Sequence, residues 1–407
     1  MKVCVVGLGY IGLPTAMMLA AHGVKVIGVD YNKDLISTLN HGHVTFSEQG
    51  LEDLYQKALS GGILFNCDYV DADMYIIAVP TPYDKFSKKI DATFVVNAVK
   101  CVLGVCHKGS ILCIESTISP GTIDRFVRPV VETEGFKIGS DIHLVHTPER
   151  IIPGNMLYEL EHNSRTIGAD TPEIGEKVKN VYSSFCQGEL TVTDIRTAEM
   201  TKVVENTYRD INIAYANELM KICHQEGMDI YEIIRIANKH PRVNILSPGP
   251  GVGGHCISVD PWFLVGDYPN LANLIKQARF INDSMPEYVL SRIAEIMEER
   301  GLKDVRRVGL YGLTYKEDVD DVRESPTLQM LECMKKHLAQ GIKVYDPYVE
   351  RDIVENQYHD FDTFIQDVDM VVIMVGHKNL KSHLSHMTNK IILDTRNICK
   401  NMNVYHL

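Results

Sequence analysis

The segment with the densest chemical content is Pro248-Gly249-Pro250-Gly251-Val252-Gly253-Gly254-His255-Cys256. Its glycines leave backbone amides accessible and let a ligand approach closely. A cysteine directly after such a loop is placed to act as a nucleophile wherever a positive environment stabilises its thiolate. Asp260 follows four residues on, about one helical turn away. For an isolated cysteine, packing as a small hydrophobe is the commoner role; the glycine loop favours covalent chemistry here. Lys202, Asn206 and Arg209 recur at i, i+4 and i+7 of one helical pattern, so they share a face. That face is either a solvated polar stripe or a wall in which Lys202 meets an oxyanion or moves a proton and Asn206 orients water. Glu149-Arg150 follows one apolar run, and Lys316, Arg323 and Arg396 follow others. Charges at the carboxyl ends of strands are either surface residues or holders of phosphate and sugar groups.

A second constellation lies at the N-terminus. Gly7-Leu8-Gly9-Tyr10-Ile11-Gly12 stands directly after an apolar run and before a helical pattern, and Asp30 ends the next run. The first glycine permits a tight turn, the second a close approach of backbone to a pyrophosphate, and the third close packing of helix on strand. Asp30 is set to bind ribose hydroxyls and would repel a 2′-phosphate, which predicts NAD as cofactor rather than NADP. Val79-Pro80-Thr81-Pro82 and Glu115-Ser116-Thr117 end later runs. Pro80, Thr81, Ser116 and Thr117 are accordingly expected to border the nicotinamide; taken alone, either segment is an ordinary turn. The uncharged stretch between Lys2 and His22 resembles a membrane segment, but the glycines and Pro14 interrupt it, so it reads as strand, turn and helix.

These groups need a scaffold, and alternating apolar runs and helical patterns predict one. The first half calls for a parallel sheet covered by helices, with strands at Lys2–Val6, Val24–Val29, Met74–Val79, Ser110–Glu115 and His143–His146. A long helix is expected over Ala198–Gly227, another over Tyr231–Lys239, and further helix over Leu271–Arg300 interrupted by Pro286. Strand patterns resume at Val308–Tyr311, Lys343–Tyr345, Val368–Val375 and Lys390–Leu393. Asp73-Met74-Tyr75-Ile76-Ile77 echoes Asp369-Met370-Val371-Val372-Ile373, and Val24–Asp30 echoes Ile342–Asp346. The expected fold class is therefore α/β, with two Rossmann-like doubly wound domains (1–193 and 301–407) joined by a central helical region (194–300).

Composition narrows the function classes. With 407 residues, 45% of them hydrophobic and 23% charged, the chain is an ordinary globular protein of more than one domain. A net charge of -12 disfavours nucleic-acid and anionic-membrane partners, though not a local basic pocket for a phosphorylated small molecule. The ten cysteines show no metal-ligand spacing and no disulfide-scaffold density, so no metal is expected and a reducing, cytoplasmic setting is.

Taken together, Gly7–Pro14, Val79–Pro82, Glu115–Thr122, Thr147–Arg150, Ala198–Leu219, His240–Pro261, Gly312–Pro326 and Asp394–Asn397 resemble the nucleotide-sugar 6-dehydrogenases, the UDP-glucose/GDP-mannose dehydrogenase family. The resemblance implies a four-electron oxidation of a sugar C6 hydroxyl to a carboxylate with two NAD molecules in succession, in a homodimer built largely on the helical region. By matching position it implies Cys256 as nucleophile, with Lys202, Asn206 and Asp260 handling oxyanion, proton and water, and Thr117 and Glu149 assisting near the reacting carbon. Lys316 and Arg396 would contact substrate, with Arg150, Ile151, Arg209, His240 and Gly253 on the substrate side as well. Arg323 would contact cofactor, and Arg242 would reach the neighbouring subunit's site. One position departs from the glucose-type pattern: Pro153 stands where a second glutamate is usual. Pro148-Glu149-Arg150, with His240-Pro241-Arg242-Val243-Asn244, resembles the UDP-N-acetylmannosamine branch, so UDP-N-acetyl-D-mannosamine is the first expected substrate. UDP-N-acetylglucosamine and UDP-glucose are alternatives. A two-electron hydroxyacid dehydrogenase and a non-catalytic nucleotide-binding protein are the rival classes; the first would yield one NADH per substrate, the second none.

Overall fold

The computed structural model of the chain describes residues 1–254, 256–336, 341–400 and 402–407. It divides into two compact units, Met1–Glu205 and Asn206–Leu407, with the division falling inside the long helix Ile195–Glu226.

In the first unit, eight strands form one sheet: β1 (Lys2–Val6), β2 (Lys25–Val29), β3 (Leu64–Asn66), β4 (Met74–Ile77), β5 (Ser110–Ile114), β6 (Ile142–His146), β7 (Arg165–Ala169) and β8 (Leu190–Thr193). Their order is β3-β2-β1-β4-β5-β6-β7-β8, and only the β6–β7 pair is antiparallel. Parallel strands covered on both faces need continuous apolar runs, and β1, β4 and β5 supply them: Val3 to Val6, Met74 to Ile77 and Ile111 to Ile114 are all buried. The uncharged stretch after β1 is the buried helix Gly12–Ala21, packed in the core of this sheet. Three strands escaped the sequence pattern. β3 has three residues, β7 opens on an arginine, and β8 is only partly buried, so none carries an apolar run.

In the second unit, six parallel strands follow the order β11-β10-β9-β12-β13-β14. They are β9 (Val308–Tyr311), β10 (Lys343–Tyr345), β11 (Gln357–Tyr358), β12 (Met370–Ile373), β13 (Ile391–Asp394) and β14 (Tyr405–His406). The sequence echoes now have a structural meaning. The order β3-β2-β1-β4-β5 reappears as β11-β10-β9-β12-β13. Local bonds repeat too: Asp73 N–H donates to Lys2 O at 3.0 Å, and Asp369 N–H to Arg307 O at 2.7 Å.

Helices of the middle region end where their caps dictate. Asp194 accepts from Thr197 N–H at 2.9 Å and from its hydroxyl at 2.6 Å, which starts the long helix. Gly227, at φ 66°, stops it. The expected Leu271–Arg300 stretch is two helices, Asn273–Asp283 and Met285–Arg300, with Pro286 in the first turn of the second. No described helix is long and apolar enough to cross a membrane.

Candidate active site

The first unit carries the glycine turn. Gly7 has φ 89°, and a Cβ there would lie 2.5 Å from Ala78 O; a Cβ on Gly12 would run into the Gly7 carbonyl. Gly9 is exposed, and a side chain there would meet no protein atom within 4 Å, so its backbone faces open space. Tyr10 and Ile11 lead from the turn into the helix, half-buried on the core. Asp30 stands just past β2, where its Oδ2 accepts from Leu8 N–H at 2.8 Å and its Oδ1 from Asn32 N–H at 2.9 Å. A turn that excludes side chains, an open backbone at Gly9 and an anchored carboxylate at the ribose position fit NAD.

The second unit uses the same turn differently. Leu313 N–H donates to Asp346 Oδ2 at 2.6 Å, as Leu8 does to Asp30. Asp346, however, is buried and also meets His377 Nε2 at 3.2 Å, whereas Asp30 remains partly open. The carboxylate that would read a ribose is occupied by protein.

Strand ends next to the glycine turn are tied together. Thr81 Oγ1 donates to Thr117 O at 2.7 Å, and Ser116 Oγ donates to Val79 O at 2.6 Å; Pro80 between them is exposed. Behind them lies a cluster the sequence reading passed over. Arg165 on β7 is paired with Glu149, which follows β6, and lies 3.3 Å from Glu115, which follows β5. Tyr182 Oη donates to Glu115 Oε1 at 3.0 Å, and all four side chains are buried. Burial pushes the Glu115 carboxyl up to about 7 despite Arg165. Glu149 is thus turned inward: Oε2 meets Arg165, and Oε1 accepts from the amides of Arg150 (2.5 Å) and Ile151 (3.1 Å). Arg150 is engaged as well, donating to both oxygens of Glu205 at 2.8 and 2.6 Å, to Ser164 O and to Thr166 Oγ1. These two side chains pin the 147–154 loop, and Ile151 is buried within it.

On the long helix Lys202 is buried, as is Asn206 one turn later, while Arg209 is exposed. The buried polar stripe runs on through Asp210 and Asn217 instead, because 4 and 11 residues return to nearly the same face at about 100° per residue. Glu199, also buried on this helix, accepts from the amides of Gly121 and Ile123 and so ties the helix to the loop after Thr117. Burial raises its carboxyl from 4.5 to about 7, against those two bonds. A raised folded pKa adds stability below the unfolded value, and that stability is lost as pH climbs through the folded one. Relative to Glu199→Gln, the native chain is therefore expected to lose stability between about pH 4.5 and about pH 7. Urea unfolding of both proteins at the two ends of that window checks it; a stability gap that does not move with pH would contradict the assignment.

In the second unit Cys256 is exposed, whereas burial pushes the thiols of Cys4, Cys113 and Cys399 up to about 12. Cys101, also exposed, sits on the helix Thr93–Leu103, away from any loop of this kind. The Cys256 carbonyl accepts from the amides of Val259 (3.1 Å) and Asp260 (2.8 Å), a turn that opens the helix Asp260–Asp267. Asn206 Nδ2 donates to Asp260 Oδ2 at 2.5 Å, uniting two of the expected residues. The preceding glycines are sterically required. A Cβ on Gly253 would lie 2.6 Å from Glu324 O and from Tyr315 Cβ, and one on Gly254 would lie 2.8 Å from the Tyr315 ring. Gly254 N–H also donates to Arg323 O at 2.9 Å, so Arg323 holds the loop with its backbone while its side chain bonds Asp321. His255 lies outside the described residues.

A cavity of about 340 Å³ opens beside the start of this loop, lined by Ile213, Leu246 to Gly249, Gly251, Glu317, Arg396 and Ile398. Gly249 makes room for the cation: a Cβ there would sit 2.8 Å from Arg396 Nη1. Lys316, half-buried, is next to the lining residue Glu317. His240 and Arg242 are exposed, with Arg242 N–H donating to His240 Nδ1 at 3.3 Å, and neither lines this cavity. The cavity joins an accessible thiol loop to a cation suited to phosphate, in a chain whose first unit fits NAD.

Comparison with known proteins gives the family. Residues 1–186 match the NAD binding domain of the UDP-glucose/GDP-mannose dehydrogenase family, residues 196–284 its central domain and residues 309–401 its UDP binding domain. The chain belongs to that family, whose members are NAD-dependent nucleotide-sugar dehydrogenases, and it takes NAD as cofactor and a nucleotide sugar as substrate. A UDP-N-acetyl-D-mannosamine dehydrogenase of Methanococcus aeolicus is 43% identical over 97% of this chain and 91% of its own length. An NDP-N-acetyl-D-galactosaminuronic acid dehydrogenase of Ralstonia nicotianae is 39% identical over 97% and 95%. The solved UDP-N-acetyl-mannosamine dehydrogenase of Staphylococcus aureus is 45% identical and covers 100% of this chain and 98% of its own, with a TM-score of 0.89.

Proposed function

We propose that the chain oxidises the C6 hydroxyl of UDP-N-acetyl-D-mannosamine to the carboxylate through a thioester on Cys256. The observation carrying this reading is the exposed Cys256 on a glycine loop whose start, with Arg396, lines a cavity. Bound NAD supplies a two-electron hydride acceptor, and four electrons per sugar require two of them.

The residues divide the remaining work. Lys202 stabilises the C6 oxygen as its proton leaves in the first oxidation. The Cys256 thiolate then adds to the C6 aldehyde, forming a C–S bond and an oxyanion that Lys202 again stabilises. Collapse of that oxyanion during the second oxidation leaves the thioester. Asn206 and Asp260, already bonded to each other, hold the water that attacks it; the C–S bond breaks, and thiolate, carboxylate and two protons result. Thr117 acts at the nicotinamide-side strand end, and Glu149 acts by fixing the loop that carries Arg150 and Ile151. Arg396 and Lys316 bind the nucleotide sugar.

Pro153 in place of a second glutamate, together with the names of the relatives, supports the N-acetylmannosamine sugar; N-acetylated gluco and galacto sugars are the alternatives. The exposed apolar residues Val204, Tyr208, Tyr215 and Ile222 recur along the long helix at spacings of four and seven, which supports a homodimer seam there, with Arg242 serving the other subunit's site. Ten cysteines with no disulfide among the described residues suit a cytoplasmic enzyme. Functionally we keep three parts: 1–193 for NAD, 194–300 for catalysis and the dimer, 301–407 for the nucleotide.

The test is NADH formed per mole of sugar consumed across a panel of UDP-sugars. Two NADH and a new carboxylate with UDP-N-acetyl-D-mannosamine are expected. One NADH would sink the four-electron reading, and preference for another sugar would reassign the substrate.

A further inference from the structure

We propose that a buried polar relay of Asp210, Asn217, Arg279 and Asn282 sets the position of the Cys256 loop, making these four positioning residues for the thiol-dependent half of the reaction. The proposal rests on the role given to Cys256 above. None of the four touches the reacting atoms; they act through the backbone on either side of the cysteine.

The relay lies within the second unit. Asp210 and Asn217 are 0% exposed, and Arg279 and Asn282 are 1% exposed. Asn217 Oδ1 accepts from Gly249 N–H at 2.9 Å, and its Nδ2 donates to Asn282 Oδ1 at 2.9 Å. Asn282 Nδ2 donates in turn to Asp210 Oδ1 at 2.8 Å and to Asp210 O at 2.9 Å. Arg279 Nη1 donates to Asp210 Oδ1 at 2.5 Å and to Ile257 O at 3.5 Å, while its Nη2 pairs with Asp283. One connected network therefore reaches the loop at Gly249 and at Ile257. Asn206 holds the same segment at Asp260.

Direction is built into the chain of amides. A backbone N–H can only donate and a backbone carbonyl only accept. Gly249 N–H at one end requires the carbonyl side of Asn217, which turns its NH₂ toward Asn282. The Asp210 carbonyl at the other end requires the NH₂ of Asn282. Both amide orientations follow, so the loop, the long helix and the helix Asn273–Asp283 satisfy one another in a single register. A sliding of any of the three leaves a buried donor unpaired, which is costly. An apolar packing of these helices would not impose that register. A nucleophile displaced by about 1 Å loses on the order of a hundredfold in rate.

The test is Asn217→Leu, of similar volume, with Asn217→Asp as the variant that keeps an acceptor for Gly249. Supplied with the UDP-sugar 6-aldehyde, Asn217→Leu is expected to oxidise it roughly ten- to a hundredfold more slowly. KM for the aldehyde and Kd for NAD should stay within about twofold of the native values, since the lost register acts on rate rather than on binding. Asn217→Asp is expected to recover part of the rate as pH falls, where its protonated carboxyl accepts from Gly249 N–H and donates to Asn282 Oδ1. Native rates in Asn217→Leu would overturn the proposal, and so would loss of NAD affinity or of folded protein in parallel with rate in both variants. Cys256→Ser assayed beside them separates the two ideas. Normal aldehyde oxidation by that variant removes the role of Cys256 itself, whereas an inactive Cys256→Ser beside an unaffected Asn217→Leu removes only the relay.

Discussion

Cys256→Ser is expected to bind NAD with native affinity and to lose four-electron turnover by more than about a thousandfold. The affinity should survive because Gly7, Gly9, Gly12 and Asp30 belong to the first unit and Cys256 to the second. Turnover should fail because a serine hydroxyl stays protonated at neutral pH where a thiol in a positive environment ionises. Burial holds the thiols of Cys4, Cys113 and Cys399 near 12, so none of these three substitutes for Cys256. Mass spectrometry of the products completes the measurement. Aldehyde or its hydrate should accumulate in the variant at no more than about one NADH per sugar, and uronate formed at the native rate would exclude a thioester on this residue.

Arg165→Met should have the largest effect on stability. Arg165 is the cation between Glu115 and Glu149, all three buried, and its removal leaves two carboxylates without a counter-charge. Breaking a buried pair in this way costs about 3–5 kcal/mol. The pH dependence follows from the sign of the shift. Without Arg165 the Glu115 carboxyl titrates further above its unfolded value, so the variant regains stability as pH falls and loses it as pH rises. Urea unfolding should show a deficit at about pH 8 that narrows toward about pH 5, and Glu115→Gln in the same background should restore part of it. A deficit that is the same at both pH values would mean that the loss is one of packing and not of charge. Activity should fall with stability, since Glu149 then no longer pins the loop at Arg150 and Ile151.

Much of the candidate site was legible because it is written in local spacing. GxGxxG after β1, Asp30 after β2 and a cysteine after a glycine run are each confined to a few consecutive residues, and backbone geometry explains them one at a time. Lys202 and Asn206 were legible through helical periodicity, yet the same periodicity proposed Arg209, which the structure leaves exposed. Periodicity says which residues share a face, and only packing says which edge of that face is buried. β7 was missed because its arginine looks like a surface residue until the two glutamates that follow β5 and β6 are brought to it.

Glu149 and Arg150 show the boundary well. Their place after the end of a strand was read correctly, but whether each charge faces a ligand or a protein partner depends on residues 16 to 55 positions away. The relay from Asp210 to Gly249 is of the same kind, since each of its bonds joins residues more than 30 positions apart. By itself the sequence determined the two Rossmann-like sheets, the NAD fingerprint and the glycine loop that leads into Cys256, because backbone conformation and periodic burial are local properties. Only the tertiary structure decided which charged and amide side chains are spent on one another, because a buried polar group takes whatever partner the fold brings within hydrogen-bond reach.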